Sequence, residues 1–126
     1  MAGERILVVE DNELNMKLFR DILVSTGYRT LEATTGGEAV ELATEHTPDL
    51  VLMDIQLPDL DGVQALGRLR ADERTAAIPV LALTAQAMDG DRERFLAAGF
   101  DGYLSKPVNV PELIGAVRLH CDGGDR

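Results

Sequence analysis

The chain has 126 residues, enough for one domain with a core of its own and too few for a second. Its formal net charge of −10 argues against a general nucleic-acid binder, which needs a basic face, and suits a divalent cation or a basic partner surface. One cysteine, Cys121, rules out a disulfide within the chain and fits a reducing, cytoplasmic setting. The start, Met1-Ala2-Gly3-Glu4-Arg5, does not read as a secretory leader. No apolar run approaches the roughly 20 residues of a membrane span.

Ile6-Leu7-Val8-Val9 reads as a buried strand that stops at two acids, Glu10 and Asp11. Asn12 can cap a helix from about Glu13, with Leu14, Leu18, Phe19, Ile22 and Leu23 recurring at helical spacing and Gly27 ending it. A second strand covers Arg29 to Ala33. Thr35-Gly36-Gly37-Glu38 has the form of a capping box, a hydroxyl followed three residues on by Glu, and opens a helix that stops before Pro48.

The third strand, Leu50 to Met53, is a continuous apolar run, the mark of a strand covered on both faces. It ends at Asp54 and breaks into the loop Ile55-Gln56-Leu57-Pro58-Asp59-Leu60. Asp61-Gly62-Val63-Gln64 starts a helix with Val63, Leu66 and Leu69 facing inward. Ile78 to Leu83 is a fourth strand ending at Thr84. A helix from about Gln86 or Asp89 runs to Ala98 and stops at Gly99. Asp101 to Leu104 is a short fifth strand ending at Ser105-Lys106-Pro107. Asn109-Val110-Pro111-Glu112 caps the last helix, with Leu113, Val117 and Leu119 apolar, and residues 122–126 read as a frayed tail. His46 and His120 sit where a cation suits a helix C-terminus, and Arg68, Arg70, Arg92 and Arg94 read as solvated helix faces.

Five strands alternating with five helices imply an α/β fold: a parallel sheet covered by helices on both faces through right-handed crossovers. The flavodoxin-like order 2-1-3-4-5 is the natural five-strand solution, although periodicity alone does not single it out. In such sheets, ligands sit beyond the carboxyl ends of the strands. Those ends carry Glu10 and Asp11, Asp54, Thr84 and Lys106. With the first and third strands adjacent, three carboxylates crowd together, and two like charges about 4 Å apart repel by roughly 4 kcal/mol at an effective dielectric near 20. A cation or a bound proton has to relieve this. All-oxygen donors select Mg²⁺ or Mn²⁺. Lys106 and Thr84 offer a point charge and a hydroxyl to phosphate oxygens, and a carboxylate such as Asp54 can carry a phosphoryl group as an acyl phosphate.

These residues resemble the receiver domain of two-component response regulators, the CheY-like family, over about residues 4–120. The matching pieces are Glu10-Asp11, the loop from Asp54-Ile55-Gln56-Leu57-Pro58 to Gly62, Thr84-Ala85, and Tyr103-Leu104-Ser105-Lys106-Pro107. The wording around Asp11 and Asp54 is most similar to stand-alone DivK-like cell-division regulators and also resembles receivers fused to hybrid histidine kinases. The resemblance implies that Asp54 accepts a phosphoryl group from a partner's phosphohistidine. It implies a metal held by Asp11, Asp54 and the Gln56 backbone carbonyl, with Glu10 acting through a coordinated water. It implies that Lys106 contacts the phosphoryl before a cis Pro107, that Thr84 binds it after transfer, and that Tyr103 changes rotamer with it.

The chain as a whole is then expected to be one receiver domain, not an enzyme in its own right. It would support its own Mg²⁺-dependent phosphorylation and slow dephosphorylation, take its phosphoryl from a histidine kinase or phosphotransferase, and signal through helix four, strand five and helix five to protein targets including kinases. The short tail and near-immediate first strand favour a self-contained protein. Two departures stand out: Glu10-Asp11 replaces the commoner Asp-Asp, and Leu57 stands where Met is frequent. Gln56 and Gln86 occupy positions that tune phosphoryl lifetime in the family. The rival readings are an aspartate-nucleophile phosphatase, disfavoured because Gln56 replaces the usual second Asp, and a phosphorylation-independent interaction module.

Overall fold

The computed structural model describes residues 4–57, 59–85 and 91–123, with residues 91, 92, 122 and 123 described in main chain only. In chain order the elements are β1 (Arg5–Val9), α1 (Glu13–Ser25), β2 (Arg29–Ala33), α2 (Gly36–His46), β3 (Leu50–Asp54), α3 (Gly62–Ala71), β4 (Val80–Thr84), α4 (Asp91–Ala98), β5 (Gly102–Ser105) and α5 (Val110–Arg118), followed by a π-helical turn, Leu119–Gly123. The strands form one parallel sheet, as the alternating pattern implied, in the expected order β2-β1-β3-β4-β5. Strands β4 and β5 begin slightly later than their apolar runs, at Val80 and Gly102.

Successive strand side chains point to opposite faces, and here both faces are covered. Leu7, Val9, Val51, Met53, Val80 and Ala82 face one layer with Ala39 and Ala43 of α2, Ala65, Leu66 and Leu69 of α3, and Phe95 of α4. Ile6, Val8, Leu50, Leu52, Leu81 and Leu83 face the other, with Met16, Phe19, Ile22 and Leu23 of α1 and Leu113 and Val117 of α5. That is why the central strands read as unbroken apolar runs.

Some inward assignments do not hold. Leu14 is 79% exposed and Leu18 44%. At about 100° per residue Leu14 lies on the far side of α1 from the centre of the Met16, Phe19, Ile22, Leu23 stripe, and Leu18 lies at its margin, one turn before Ile22; it is this stripe that meets the sheet. Val63 is 43% exposed, since it sits just off the Gly62, Ala65, Leu66, Leu69 stripe. Leu119 lies past α5, two residues beyond Val117, and turns outward.

The caps hold with one amendment. Asn12 and Asn109 accept from the N–H groups of Asn15 and Glu112, both at 3.0 Å. Thr35 Oγ1 accepts from Glu38 N at 3.1 Å, but the Glu38 carboxylate reaches Thr34 N at 2.8 Å instead of Thr35 N. The reciprocal box forms on α3, where Asp61 and Gln64 exchange bonds of 2.8 and 3.2 Å. Gly27, at φ +104°, supplies the left-handed residue that turns the chain from α1 into β2. The early helix start at Gln86 or Asp89 and the end of the tail, residues 124–126, lie outside the described residues.

Arg70 is not a solvated residue. Its guanidinium donates to the carbonyls of Ala76, Ile78 and Gly99 and to Asp101 Oδ2, at 2.6–3.0 Å. It ties the end of α3 to the segments entering β4 and β5. Among the described residues, no helix is long and apolar enough to cross a membrane.

Candidate functional site

Sheet register builds the site. Val9 of β1 pairs with Met53 of β3, so the next residues, Glu10 and Asp54, leave the sheet side by side. Thr84 of β4 pairs with Ser105 of β5, and Lys106 N donates to Thr84 O at 2.8 Å, which sets Lys106 on the same edge. The strand ends enclose a cleft of about 870 Å³ lined by Glu10, Asp11, Asp54, Gln56, Thr84 and Lys106, with Asn12, Asn15, Ala85, Arg94, Phe95 and Pro107 among its other walls.

Each oxygen of Asp54 is held. Oδ1 accepts from Gln56 N at 2.9 Å, and Oδ2 accepts from Lys106 Nζ at 2.8 Å. The same ammonium lies 2.8 Å from Glu10 Oε1. Glu10 Oε2 accepts from Asn12 N at 3.2 Å. Glu10 and Asp54 are buried, and Asp11 is exposed. Burial pushes the Glu10 carboxyl pKa up, the ammonium of Lys106 opposes it, and the charge of Asp54 adds to the rise. Burial alone would lower the Lys106 pKa, but its close contacts with Asp54 and Glu10 and their charge attraction outweigh this, and the net shift is upward.

The donor set fits a hard divalent cation. One carboxylate oxygen from each of Glu10, Asp11 and Asp54 lies within 4.8 Å of the others. Glu10 Oε1 is enclosed and makes no hydrogen bond of good angle, since the Lys106 contact is an ion pair by distance alone. Such an oxygen is under-satisfied, which a cation or its bound water would relieve. Among the described residues that line the cleft there is no sulfur or imidazole, which suits Mg²⁺.

Thr84 is buried at the end of β4 on the cleft wall. Tyr103 stands apart. It is half-buried on β5, its ring 5.5 Å from that of Phe95, and it lines two smaller pockets with Ala116 and Leu119 instead of the acid cleft. Phe95 is thus the link between the cleft and Tyr103. The Lys106-Pro107 bond is cis. Pro58 and Gln86 lie outside the described residues. The sequence reading passed over Asn15, Phe95 and the cleft position of Arg94, whose guanidinium lies 4.9 Å above the Phe95 ring. Asn15 lies in the first turn of α1, just after the acids that end β1, a usable signal. Nothing in the sequence flags Phe95 beyond its apolar character.

Residues 6–118 match the family described as the response regulator receiver domain. The chain belongs to this family. It is 50% identical over 115 residues to the polar-differentiation response regulator DivK of Brucella ovis, covering 91% of this chain and 94% of that protein, and equally to DivK of Brucella anthropi. Among solved structures it is similar to the receiver domain of a sensor histidine kinase from Pseudomonas aeruginosa, which holds a magnesium ion coordinated in its active-site cleft: 42% identity, TM-score 0.87, 95% of this chain and 98% of that one. It is also similar to the receiver structure in the Saccharomyces cerevisiae co-crystal of the histidine phosphotransfer protein Ypd1 with the receiver domain of its downstream response regulator Ssk1, at 29% identity and TM-score 0.87, covering 95% and 90%. The receiver resemblance, the 2-1-3-4-5 sheet and a place in two-component signalling therefore stand.

Proposed function

We propose that this receiver domain, spanning residues 1–126, is switched by phosphorylation of Asp54. The observation that carries the reading is the pinned carboxylate: Asp54 is buried at the end of β3, one oxygen on Gln56 N and the other on Lys106 Nζ, beside Glu10 and Asp11. A carboxylate oxygen attacks the phosphorus of a phosphohistidine on a histidine kinase or phosphotransferase. The P–N bond breaks as the P–O bond of an acyl phosphate forms, and the imidazole leaves with the electron pair and a proton from solvent. Asp11, Asp54 and the Gln56 carbonyl would hold Mg²⁺, with Glu10 acting through a water. The ion supplies charge neutralisation for the transferring oxygens. The same all-oxygen set would accept Mn²⁺. Small phosphodonors would load the site, and slow hydrolysis would clear it.

Lys106 neutralises the incoming oxygens, and Thr84 gives them a hydroxyl hydrogen bond. As Thr84 is drawn toward the phosphoryl, Tyr103 repacks beside Phe95. The phosphorylated form thus favours one of two pre-existing arrangements of α4, β5 and α5. Output is binding to protein targets, kinases among them, without nucleic acid or membrane as partner. Similarity to DivK supports a setting in cell-division control. The kinase-derived relative supports the other placement, as the receiver of a hybrid kinase.

The test is transfer of labelled phosphate from a phosphorylated histidine kinase in Mg²⁺. The wild type should acquire base- and hydroxylamine-labile label that Asp54→Asn lacks. Equal labelling of Asp54→Asn would overturn the assignment. Steady turnover of a small phosphoester would instead favour the phosphatase reading, and partner binding indifferent to beryllofluoride would favour the phosphorylation-independent module.

A further inference from the structure

The loop between Asp54 and α3 is fastened to a helix that contributes nothing to the cleft wall. Asp59 Oδ1 accepts from Gly36 N at 2.7 Å, and Oδ2 accepts from Gly37 N at 3.0 Å. These are the first two N–H groups of α2, which no intrahelical carbonyl can satisfy. The next two are met locally, Glu38 N by Thr35 Oγ1 and Ala39 N by Thr35 O. Asp59 therefore completes the cap of α2 from 22 or more residues away in sequence. The two partners also lie in tight van der Waals apposition. A Cβ on Gly36 would stand 2.7 Å from Leu60 Cβ and 2.9 Å from Leu60 O.

At its start the loop is fixed by the Gln56 N bond to Asp54 Oδ1, and at its end by Gly62 N to Ile55 O at 2.8 Å. Between these points Asp59 grips the helix. We infer that Asp59 is a positioning residue for the cleft: by clamping the middle of this loop to the N-terminus of α2, it sets the orientation of the Gln56 main chain and of the Asp54 carboxylate, and hence the cleft's affinity for Mg²⁺. The inference rests on the reading of the cleft given above. Main-chain N–H groups, of Gly37 first, then of Leu60 and Gly36, hold the Asp59 pKa below its ordinary value, so the carboxylate stays charged at neutral pH.

Outer groups that orient metal ligands typically cost 10- to 100-fold in affinity when removed. The experiment measures Mg²⁺ binding by calorimetry and follows the amides of Ile55, Gln56, Gly36 and Gly37 by NMR, in wild type, Asp59→Ala, Asp59→Asn, Gly36→Ala and Arg70→Ala. Asp59→Ala removes both acceptors, and Asp59→Asn keeps one. Gly36→Ala opens the same joint by overlap without touching a charge. Arg70→Ala destabilises the fold far from the cleft and separates positioning from stability. Asp59→Ala and Gly36→Ala should each weaken Mg²⁺ binding about tenfold and shift the Gln56 amide. Asp59→Asn should fall between them and wild type, and it carries the test if the alanine variant does not fold. Arg70→Ala should melt lower yet bind Mg²⁺ within about twofold of wild type. Wild-type affinity in both Asp59 variants overturns the inference, as does an equal loss in Arg70→Ala. A wild type that binds no Mg²⁺ overturns the cleft reading and this inference together, whereas Mg²⁺-dependent labelling of Asp54 beside unchanged Asp59 variants overturns this inference alone.

Discussion

The ammonium of Lys106 lies 2.8 Å from Glu10 Oε1, an oxygen closed off from solvent, while it also serves Asp54. One cation thus answers two buried carboxylates. Removing one partner of a buried ion pair leaves the other charge uncompensated. Lys106→Met should lower stability by about 3 kcal/mol at neutral pH in the absence of metal. Chemical denaturation should show the deficit shrinking in millimolar Mg²⁺, which replaces part of the missing positive charge.

The pH dependence has two arms of opposite sign. The Glu10 pKa is raised above its ordinary 4.5. Between these two values the folded protein binds the extra proton and the unfolded chain does not, so stability falls as pH rises through the window. The Asp59 pKa is lowered from 3.8, so its contribution is complete above that value and is lost as pH falls through the lower, folded one. Urea midpoints of the metal-free protein should therefore peak in mild acid. Glu10→Gln should flatten the slope on the neutral side, which for one proton is at most about 1.4 kcal/mol per pH unit.

Glycines in α3 and α5 separate backbone contact from helix propensity. A Cβ on Gly62 would meet Asp54 O at 2.7 Å and Ile55 Cα at 2.9 Å, both main chain. Gly62→Ala should cost about 2 kcal/mol through overlap and should also weaken the Mg²⁺-dependent melting shift. Gly67 and Gly115 have nothing within 4 Å of that position. Gly67→Ala and Gly115→Ala should each raise stability by about 0.5–1 kcal/mol and leave phosphorylation unchanged. Thermal melts of the three variants check all of this.

Arg70 reaches three carbonyls and Asp101, and Asp101 Oδ2 in turn accepts from Val80 N at 2.8 Å. Arg70→Ala should cost about 2–3 kcal/mol, because carbonyls at the start of β4 and the end of α4 lose a charged donor. Labelling of Asp54 by phosphodonor should persist at temperatures where the variant stays folded.

Strand ends were the most legible part of the chain. Apolar runs that stop at a polar residue announce both a doubly covered strand and its chemical tip, and Glu10, Asp54 and Thr84 reach the cleft on that signal, with Lys106 just past the short fifth strand. Side-chain facing in the helices was less legible. Leu14 and Leu18 are as apolar as Phe19 and Ile22, and only the sheet decides which stripe is covered. Long-range polar contacts away from the cleft left no trace at all. Asp59 reads as one more loop acid and Arg70 as one more helix cation, because neither partner is close in sequence. Tyr103 carries a recognisable neighbourhood in the sequence, but its separation from the cleft by Phe95 is a matter of packing.

Glu10, Asp11 and Asp54 extend from or just past β1 and β3, neighbours inside the sheet, whereas Lys106 follows β5, a four-residue strand at its margin. Amide protons in β1 and β3, paired on both sides, should exchange with deuterium more slowly than those in β5, which is paired on one side only. The acidic half of the cleft is therefore anchored to the slowest-breathing backbone, and the lysine half can swing without disturbing it. A receiver wired this way can change its outer face many times over while its acid trio keeps one fixed arrangement.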